Sequence, residues 1–415
     1  MLARCCCLFL LVLLALPGCS TRHIAHDAAP EKALPPLIQP MEENGVAVLD
    51  NDDIMPLLTW LQHDPGPLAD WTRVNFAAYQ SLRHVSKRAE DKTALLLPDT
   101  PELAAILPPS DQPGIPGRVI TYGHMARTLE RLQQILPSLH RRPELLASEF
   151  IWLRSGPDYT FTGYYEPLLK VSPVRTERFR YPLYKRPPEL RRTIARRGHY
   201  HSRRAIDERG VLRGRGLELA WAESLVDIFI LQIQGSGRLL YPDGSRRSIL
   251  YDGQNRHPYK AIGRLMKEQG LIGDPITMPA IRQWLQAHPA ETPDILYMNP
   301  SYVFFRLGKK RAEGSFGSMG YVLTPNLSVA TDTSVLPSGL TAFMAVMIPD
   351  LASGGERPLY GLMFPQDRGG AIHNHRVDIF FGNGAQAEYA AGGLNKQGMV
   401  VILLARDHAT QRAAY

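Results

Sequence analysis

From Gly314 onward the chain is a series of short apolar runs separated by Gly, Pro, Ser and Asp: SVATD, LTAFMAVMI, LYGLMF, RVDIFFG and MVVILLA. This feature constrains the fold most. A strand with one wet face alternates apolar and polar residues. Runs as continuous as MVVILLA have no polar face, and they suit strands buried on both sides, as in a small barrel. RVDIFFG is different, because the period of two puts Val377, Ile379 and Phe381 on one face and Arg376, Asp378 and Phe380 on the other. The first set enters the core, so Asp378 points away from it.

The rest of the chain has another texture. From Asp53 to about Leu153 it reads as mainly helical. DIMPLLTWLQHDP and YGHMARTLERLQQIL space apolar residues at three and four, with Pro65 and Pro137 as expected stops. DYTFTGYYEPLLKVSP then looks like a strand entering a loop. Between about Leu168 and Arg306, segments such as LVDIFILQIQGSGRLLY read as short strands. Two helices interrupt them. PYKAIGRLMKEQG has Ile262, Leu265 and Met266 on one face and stops at Gly270. TMPAIRQWLQAHP has Thr277 as its cap, with Trp284 and Leu285 inward. No repeat of solenoid period is visible.

The N-terminus opens MLARCCCLFLLVLLALPGCS, a thin basic start followed by an apolar run from Cys5 to Leu16. That run is too short to span a bilayer comfortably and sits where a secretory signal sits. The four cysteines are Cys5, Cys6, Cys7 and Cys19, so cleavage before Cys19 leaves one thiol and no intrachain disulfide. A lone cysteine at the new N-terminus makes sense as a lipid carrier, since stable anchoring needs more than one acyl chain. The expectation is a signal peptide over 1–18, lipidation at Cys19 and an Ala/Pro-rich tether over 19–45. Ser20 after the cysteine resembles the outer-membrane sorting pattern. Loss of Arg4 lowers the formal charge from +7 to +6. This mild basicity fits a polyanionic partner without selecting one. With 44% hydrophobic residues, the remainder can bury the cores of about two domains.

Asp367 and Asp378 flank a glycine pair and invite a two-carboxylate glycosidase reading. Asp378 has an aromatic two residues on, and GNG follows its strand. A carboxyl beside an aromatic at a cleft floor loses hydration, which suits a general acid. Arg376 on the same face pushes the other way. A solvated or Arg-paired aspartate is therefore the competing reading. Asp367 before RGG, and Asp332 ahead of a Pro-Ser-Gly turn, read as carboxylates bonded to turn amides. By this reasoning there is one acid and two braces.

Other segments carry less. His373 and His375 in HNH lack the third and fourth ligands that zinc wants, so no metal is expected. The basic run from Arg191 to Gly210 has little aromatic interleaving for base stacking, and nucleic acid is not an expected partner of an exported lipoprotein. FTGYYEP and QIQGSG combine aromatic faces, hydroxyls and amides in the manner of sugar sites.

FTGYYEP, DIFILQIQGSG, NPSYVFF at Asn299 to Phe305, VATD and QDRGGAI…RVDIFFGNG together resemble the membrane-bound lytic murein transglycosylase A family, in order from about Asp158 to Val401. The resemblance implies a mainly β protein with N-terminal helices: a double-psi β-barrel and a smaller inserted β-barrel, with a cleft between them. On that model 46–167 and 307–415 form the catalytic barrel domain with its helical N-terminal part, and 168–306 form the inserted domain. The family's single working aspartate matches Asp378. Asp367 and Asp332 match its other two aspartates, as supporting residues. Thr162, Tyr164, Gln232, Gln234, Gly235 and Ser236 are implied to line the glycan cleft.

The implied reaction is non-hydrolytic cleavage of the β-1,4 bond between N-acetylmuramic acid and N-acetylglucosamine in peptidoglycan, giving 1,6-anhydro products without cofactor or metal. The implied partners are peptidoglycan glycan strands, the membrane through the N-terminal lipid, and proteins of a wall-remodelling complex. The implied location is the periplasmic face of the outer membrane. RGGAIHNHR departs locally, with Arg368 and two histidines where smaller or lysine-containing loops are expected. A water-using peptidoglycan hydrolase and a non-catalytic wall-binding lipoprotein are the alternatives.

Overall fold

The computed structural model describes residues 34–35, 38–42, 45–274, 276–308 and 314–406. The leader 1–18, Cys19 and the tether before residue 34 lie outside them. No helix among the described residues is long and apolar enough to cross a membrane. The strands in chain order are β1 (Val46–Val48), β2 (Thr93–Leu97), β3 (Arg118–Thr121), β4 (Phe150–Ser155), β5 (Tyr159–Tyr164), β6 (Leu168–Ser172), β7 (Tyr181–Tyr184) and β8 (Glu218–Ala222). They continue as β9 (Ser236–Leu240), β10 (Arg246–Gln254), β11 (Val303–Leu307), β12 (Ser328–Thr331), β13 (Ala342–Pro349), β14 (Glu356–Asp367), β15 (Arg376–Phe380) and β16 (Lys396–Ala405).

Each C-terminal apolar run is a strand. The first sheet runs β1-β4-β16-β13-β14-β12-β15-β5, and β5 pairs again with β16. From β16 round to β5 the sheet therefore closes on itself. Parallel pairing occurs at β12–β14 and β15–β5, antiparallel pairing elsewhere in the ring. The apolar runs thus form the small barrel expected of them, and it is of the double-psi type that the family resemblance implies. Closure needs β16 to leave β5 at Gly398 and continue along β4 from Val401. A Cβ on Gly398 would lie 2.7 Å from the Ala345 carbonyl oxygen and 2.8 Å from the Phe161 ring, so the crossing is tight enough to require glycine.

Phe150, Trp152, Phe161, Phe343 and Phe364 fill the barrel, each stabilising it by about 1.5–3 kcal/mol through burial alone. Arg154 is also fully buried. Its guanidinium donates to Val400 O at 2.8 Å and Gln39 O at 3.3 Å, and pairs with Asp158 at 2.5 Å. Together with Met41 N donating to Gly156 O at 3.1 Å, this docks the last part of the expected tether on the barrel.

Both expected N-terminal helices form, at Asn51–His63 and Tyr122–Leu139. The second does not stop at Pro137. The proline sits in the last turn, and the helix runs two residues past it to Leu139, because the bond and space a proline removes lie in the turn before it. A further helix, Trp71–Val85, clamps the barrel through Gln366, whose Nε2 donates to Ala77 O at 2.7 Å and Ser81 Oγ at 2.9 Å. Ser328 Oγ donates to its Oε1 at 2.6 Å. This inward anchor sits directly before Asp367, which faces out.

The second sheet runs β11-β10-β9-β6-β8-β7, and a bridge between Lys185 and Phe305 joins its two edges. Its core includes Leu169, Val171, Leu183, Leu239, Ile249 and Phe305. LVDIFILQIQ is not the expected strand but a helix, Leu225–Gln234. Ser224 caps it by accepting from Asp227 N, and Gly235 ends it at φ 75°. Only GRLL and its flanks form β9. The helix is apolar almost all round and buried against both cores, so its sequence shows no amphipathic period to set it apart from a buried strand. The helices Ile262–Glu268 and Met278–Ala287 form as expected. Thr277 Oγ1 accepts from Ala280 N at 3.3 Å, Leu285 is buried, and Trp284 is half-buried and stacked on His288.

Candidate active site

Strand register brings four positions into one row across the barrel wall. Ala330 on β12 is paired with Asp367 on β14 and with Asp378 on β15, and Asp378 is paired in turn with Thr162 on β5. Residues in register project to the same side. Val377, Ile379 and Val329 are buried on the other side. Asp367, Asp378 and Thr162 therefore share one face, with a small alanine between the two carboxylates.

Each member has defined partners. Thr162 Oγ1 donates to Asp378 Oδ1 at 2.7 Å, and Arg376 Nε donates to Thr162 Oγ1 at 3.2 Å. The competition left open by the sequence is thereby decided. Arg376 reaches Asp378 through a hydroxyl, while burial pushes the carboxyl up from 3.8 to about 6. The Thr162 bond and the Arg376 charge oppose that rise, and the Asp367 carboxylate adds to it. The Tyr164 and Phe380 rings, centred 5.3 Å apart, form the apolar floor beside it.

Asp367 is also raised by burial, but its oxygens are engaged. Oδ1 accepts from Ser318 N at 2.7 Å and Arg368 N at 2.8 Å, and Oδ2 accepts from Tyr164 Oη at 2.9 Å. Asp332 stands apart. It accepts from the Ser334 hydroxyl at 2.7 Å, Ser334 N at 3.0 Å and Asn374 N at 2.9 Å, and these bonds hold its carboxyl below the usual range. Asn374, at φ 55°, is thus fixed inside the HNH loop. Among the described residues no group of three or more His, Cys, Asp or Glu is placed to hold a metal ion.

The second barrel meets this face through Tyr165–Pro167. Tyr165 N donates to Gln234 Oε1 at 3.2 Å, and Glu166 N donates to Gly382 O at 2.6 Å. Gln234, Gly235 and Ser236 therefore stand at the junction. Gln232 does not; it is buried, with Nε2 donating to Val303 O at 3.4 Å. The sequence reading did not single out Glu166, whose buried carboxylate pairs with Arg238 Nε at 2.8 Å across the same junction. The available signal was one acidic residue inside an aromatic run between two strands. It also missed that Thr162 holds the acid.

Residues 160–306 match the model of the MltA specific insert domain and residues 327–404 that of the 3D domain. Among curated relatives, the membrane-bound lytic murein transglycosylase A of Escherichia coli K12 is 32% identical over 321 residues, covering 71% of this chain and 85% of that protein. The protein of the same description from Vibrio cholerae is 33% identical over 256 residues, covering 60% and 67%. Among solved structures, a membrane-bound lytic murein transglycosylase from Agrobacterium tumefaciens superposes with a TM-score of 0.65 at 29% identity, covering 89% of this chain and 99% of that one. E. coli MltA with bound chitohexaose superposes with a TM-score of 0.57 at 30% identity, covering 72% and 95%.

Proposed function

The chain belongs to the membrane-bound lytic murein transglycosylase A family, and from that premise we propose that its single acid, Asp378, cleaves peptidoglycan without water. The chain is a peptidoglycan lytic transglycosylase. Protonated Asp378 gives its proton to the oxygen linking N-acetylmuramic acid to N-acetylglucosamine, and the bond from that oxygen to muramoyl C1 breaks. The carboxylate left behind takes the proton of the C6 hydroxyl on the same ring. O6 closes onto C1, forming the 1,6-anhydro sugar and restoring the protonated acid. The nucleophile is already on the substrate, which removes the need for a second carboxylate.

The observation that carries this reading is the engagement of Asp367. A retaining or inverting hydrolase needs a second carboxylate free to attack C1 or activate water. Asp367 accepts two backbone amides and a phenol, which supports a bracing role. Asp332 is tied to the loop around Asn374. The chitohexaose in the E. coli structure supports glycan strands as the ligand, with Thr162, Tyr164, Gln234, Gly235 and Ser236 lining the cleft. Closure of the two sheets supports 46–167 with 307–415, and 168–306, as the domains. Lipid attachment at Cys19 and residence on the periplasmic face of the outer membrane belong to the same proposal.

Mass spectrometry of muropeptides released from sacculi tests the chemistry. Products one water lighter than hydrolysis products are expected; reducing ends would establish a hydrolase. A general acid must be protonated, so kcat/KM is expected to fall as pH rises through about 6. Thr162→Val removes the bond that favours ionised Asp378. Its descending limb is therefore expected to move to higher pH, with activity about tenfold lower from the loss of one orienting bond. An unmoved limb would mean that Thr162 does not act on the acid.

A further inference from the structure

Away from the acid row, unbalanced charge concentrates on the outer face of the second barrel. A cavity of about 520 Å³ is lined there by Lys185, Arg186, Arg191 and Arg306, with Asp252 as its one acid and an apolar wall of prolines and leucines. Arg186 accounts for Asp252, donating to its carbonyl at 3.2 Å and standing 3.7 Å from its carboxylate. Among the described residues, Lys185, Arg191 and Arg306 have no carboxylate partner. Some other arginines of the same barrel are paired, Arg204 with Asp294, Arg215 with Glu189 and Arg238 with Glu166, while others, such as Arg192 and Arg256, are not. What sets Lys185, Arg191 and Arg306 apart is that they line one cavity. The unpaired cations are exposed, so nothing in the fold calls for them at this spot. Free guanidinium groups beside apolar walls are suited to a carboxylate on a small organic group.

Register places this pocket relative to the cleft. Leu250 on β10 is paired with Ser236 on β9 and with Arg306 on β11. Arg306 thus lies on the same side as Ser236, two strand spacings or about 10 Å away. Ser236 follows Gln234, which is bonded to the residue after Tyr164. Such a distance is within the reach of a peptide, which extends about 3.3 Å per residue. In peptidoglycan the muramoyl residue carries that peptide, and the peptide carries free carboxylates.

We propose that the Lys185–Arg191–Arg306 pocket binds a carboxylate of the stem peptide attached to the muramoyl residue in the cleft, so that the enzyme favours peptide-bearing over bare glycan. The proposal deepens the reading of the acid row as the cleavage site and rests on it. A phosphate at a membrane surface would be a competing ligand for the same cations, but a concave, apolar-walled pocket fits a peptide end better than a lipid plane.

The test uses the full chain in detergent micelles and the double variant Arg191→Glu/Arg306→Glu, with Arg306→Gln as the milder change; both sites are exposed and leave the core intact. Rates are measured on glycan strands with intact peptides and on strands stripped by an amidase. The double variant is expected to raise KM for peptide-bearing strands about tenfold, the loss of a charge-assisted contact, with kcat unchanged. Bare strands should be processed as by the wild type, and Arg306→Gln should fall between. Calorimetric binding of the free acidic tetrapeptide, and of glycerol phosphate, reads the pocket without turnover. Equal losses on both substrates, tetrapeptide binding that survives the double variant, or glycerol phosphate binding as tightly as the tetrapeptide would each overturn the proposal. If the wild type cleaves neither substrate, the proposed reaction fails, while tetrapeptide binding still decides the pocket.

Discussion

Asp378→Asn is expected to lower the release of anhydro-muropeptides from sacculi by about 10³-fold, the middle of the range for a lost general acid. Sacculus binding should persist, because the amide oxygen still accepts from Thr162 and no cleft wall changes. The same variant is expected to be more stable than the wild type at pH 8. Burial raises the Asp378 carboxyl from 3.8 to about 6, so the fold favours its protonated form. That stabilising preference is fully present below about pH 4 and is lost as pH rises through about 6, where ionising the buried group costs the native state. A shift of that size corresponds to about 3 kcal/mol at most. Partial hydration, and the weaker bond from Thr162 to an amide, reduce the expected gain to about 1–2 kcal/mol. Thermal denaturation should therefore show a gain at pH 8 that vanishes at pH 4. Retained turnover would remove Asp378 from the chemistry, and equal Tm values at pH 8 would mean that its carboxyl is not raised.

Gly163→Ala is expected to damage stability and catalysis together. Gly163 lies on β5 between Thr162 and Tyr164, paired with Ile379 on β15. A Cβ there would come within 2.3 Å of Phe381 Cε2 and 2.9 Å of Ala391 Cα. The phenyl ring is held in the core and the second contact is backbone, so neither neighbour yields easily. Overpacking of this kind costs about 1–3 kcal/mol, or a Tm drop of about 1–4 °C for a chain of this size. Relief by displacing β5 would also move Thr162 relative to Asp378, and activity should fall further than the Tm. Adding Phe381→Leu should recover part of both, giving a clear coupling energy in a double-mutant cycle. An unchanged Tm for Gly163→Ala would mean that β5 and β15 slide freely, in conflict with the tight register around the acid.

The outward aim of Asp378 follows from period-2 alternation in RVDIFFG, and the apolar runs foreshadow the barrel strands, because strand faces are a local property. The helix Leu225–Gln234 was not legible in the same way. Buried against both cores, it carries apolar residues all round, and only its two caps, Ser224 and Gly235, distinguish it from a strand. Pro137 misled as a stop because the cost of a proline depends on its position within the helix, which the spacing of apolar residues does not reveal.

The sequence by itself determined the C-terminal strands, the outward orientation of Asp378, and the family through the wording and order of its motifs. Only the tertiary structure decided that Asp378 is raised, because burial is the sum of contacts from β5, β12 and β15, which are distant along the chain. It likewise decided that Asp367 has no free oxygen, since its partners Ser318 and Tyr164 come from other segments. The closing of both sheets, and the row of Thr162, Asp378, Ala330 and Asp367, also depend on register between strands. Register is a relation between segments that no single segment encodes.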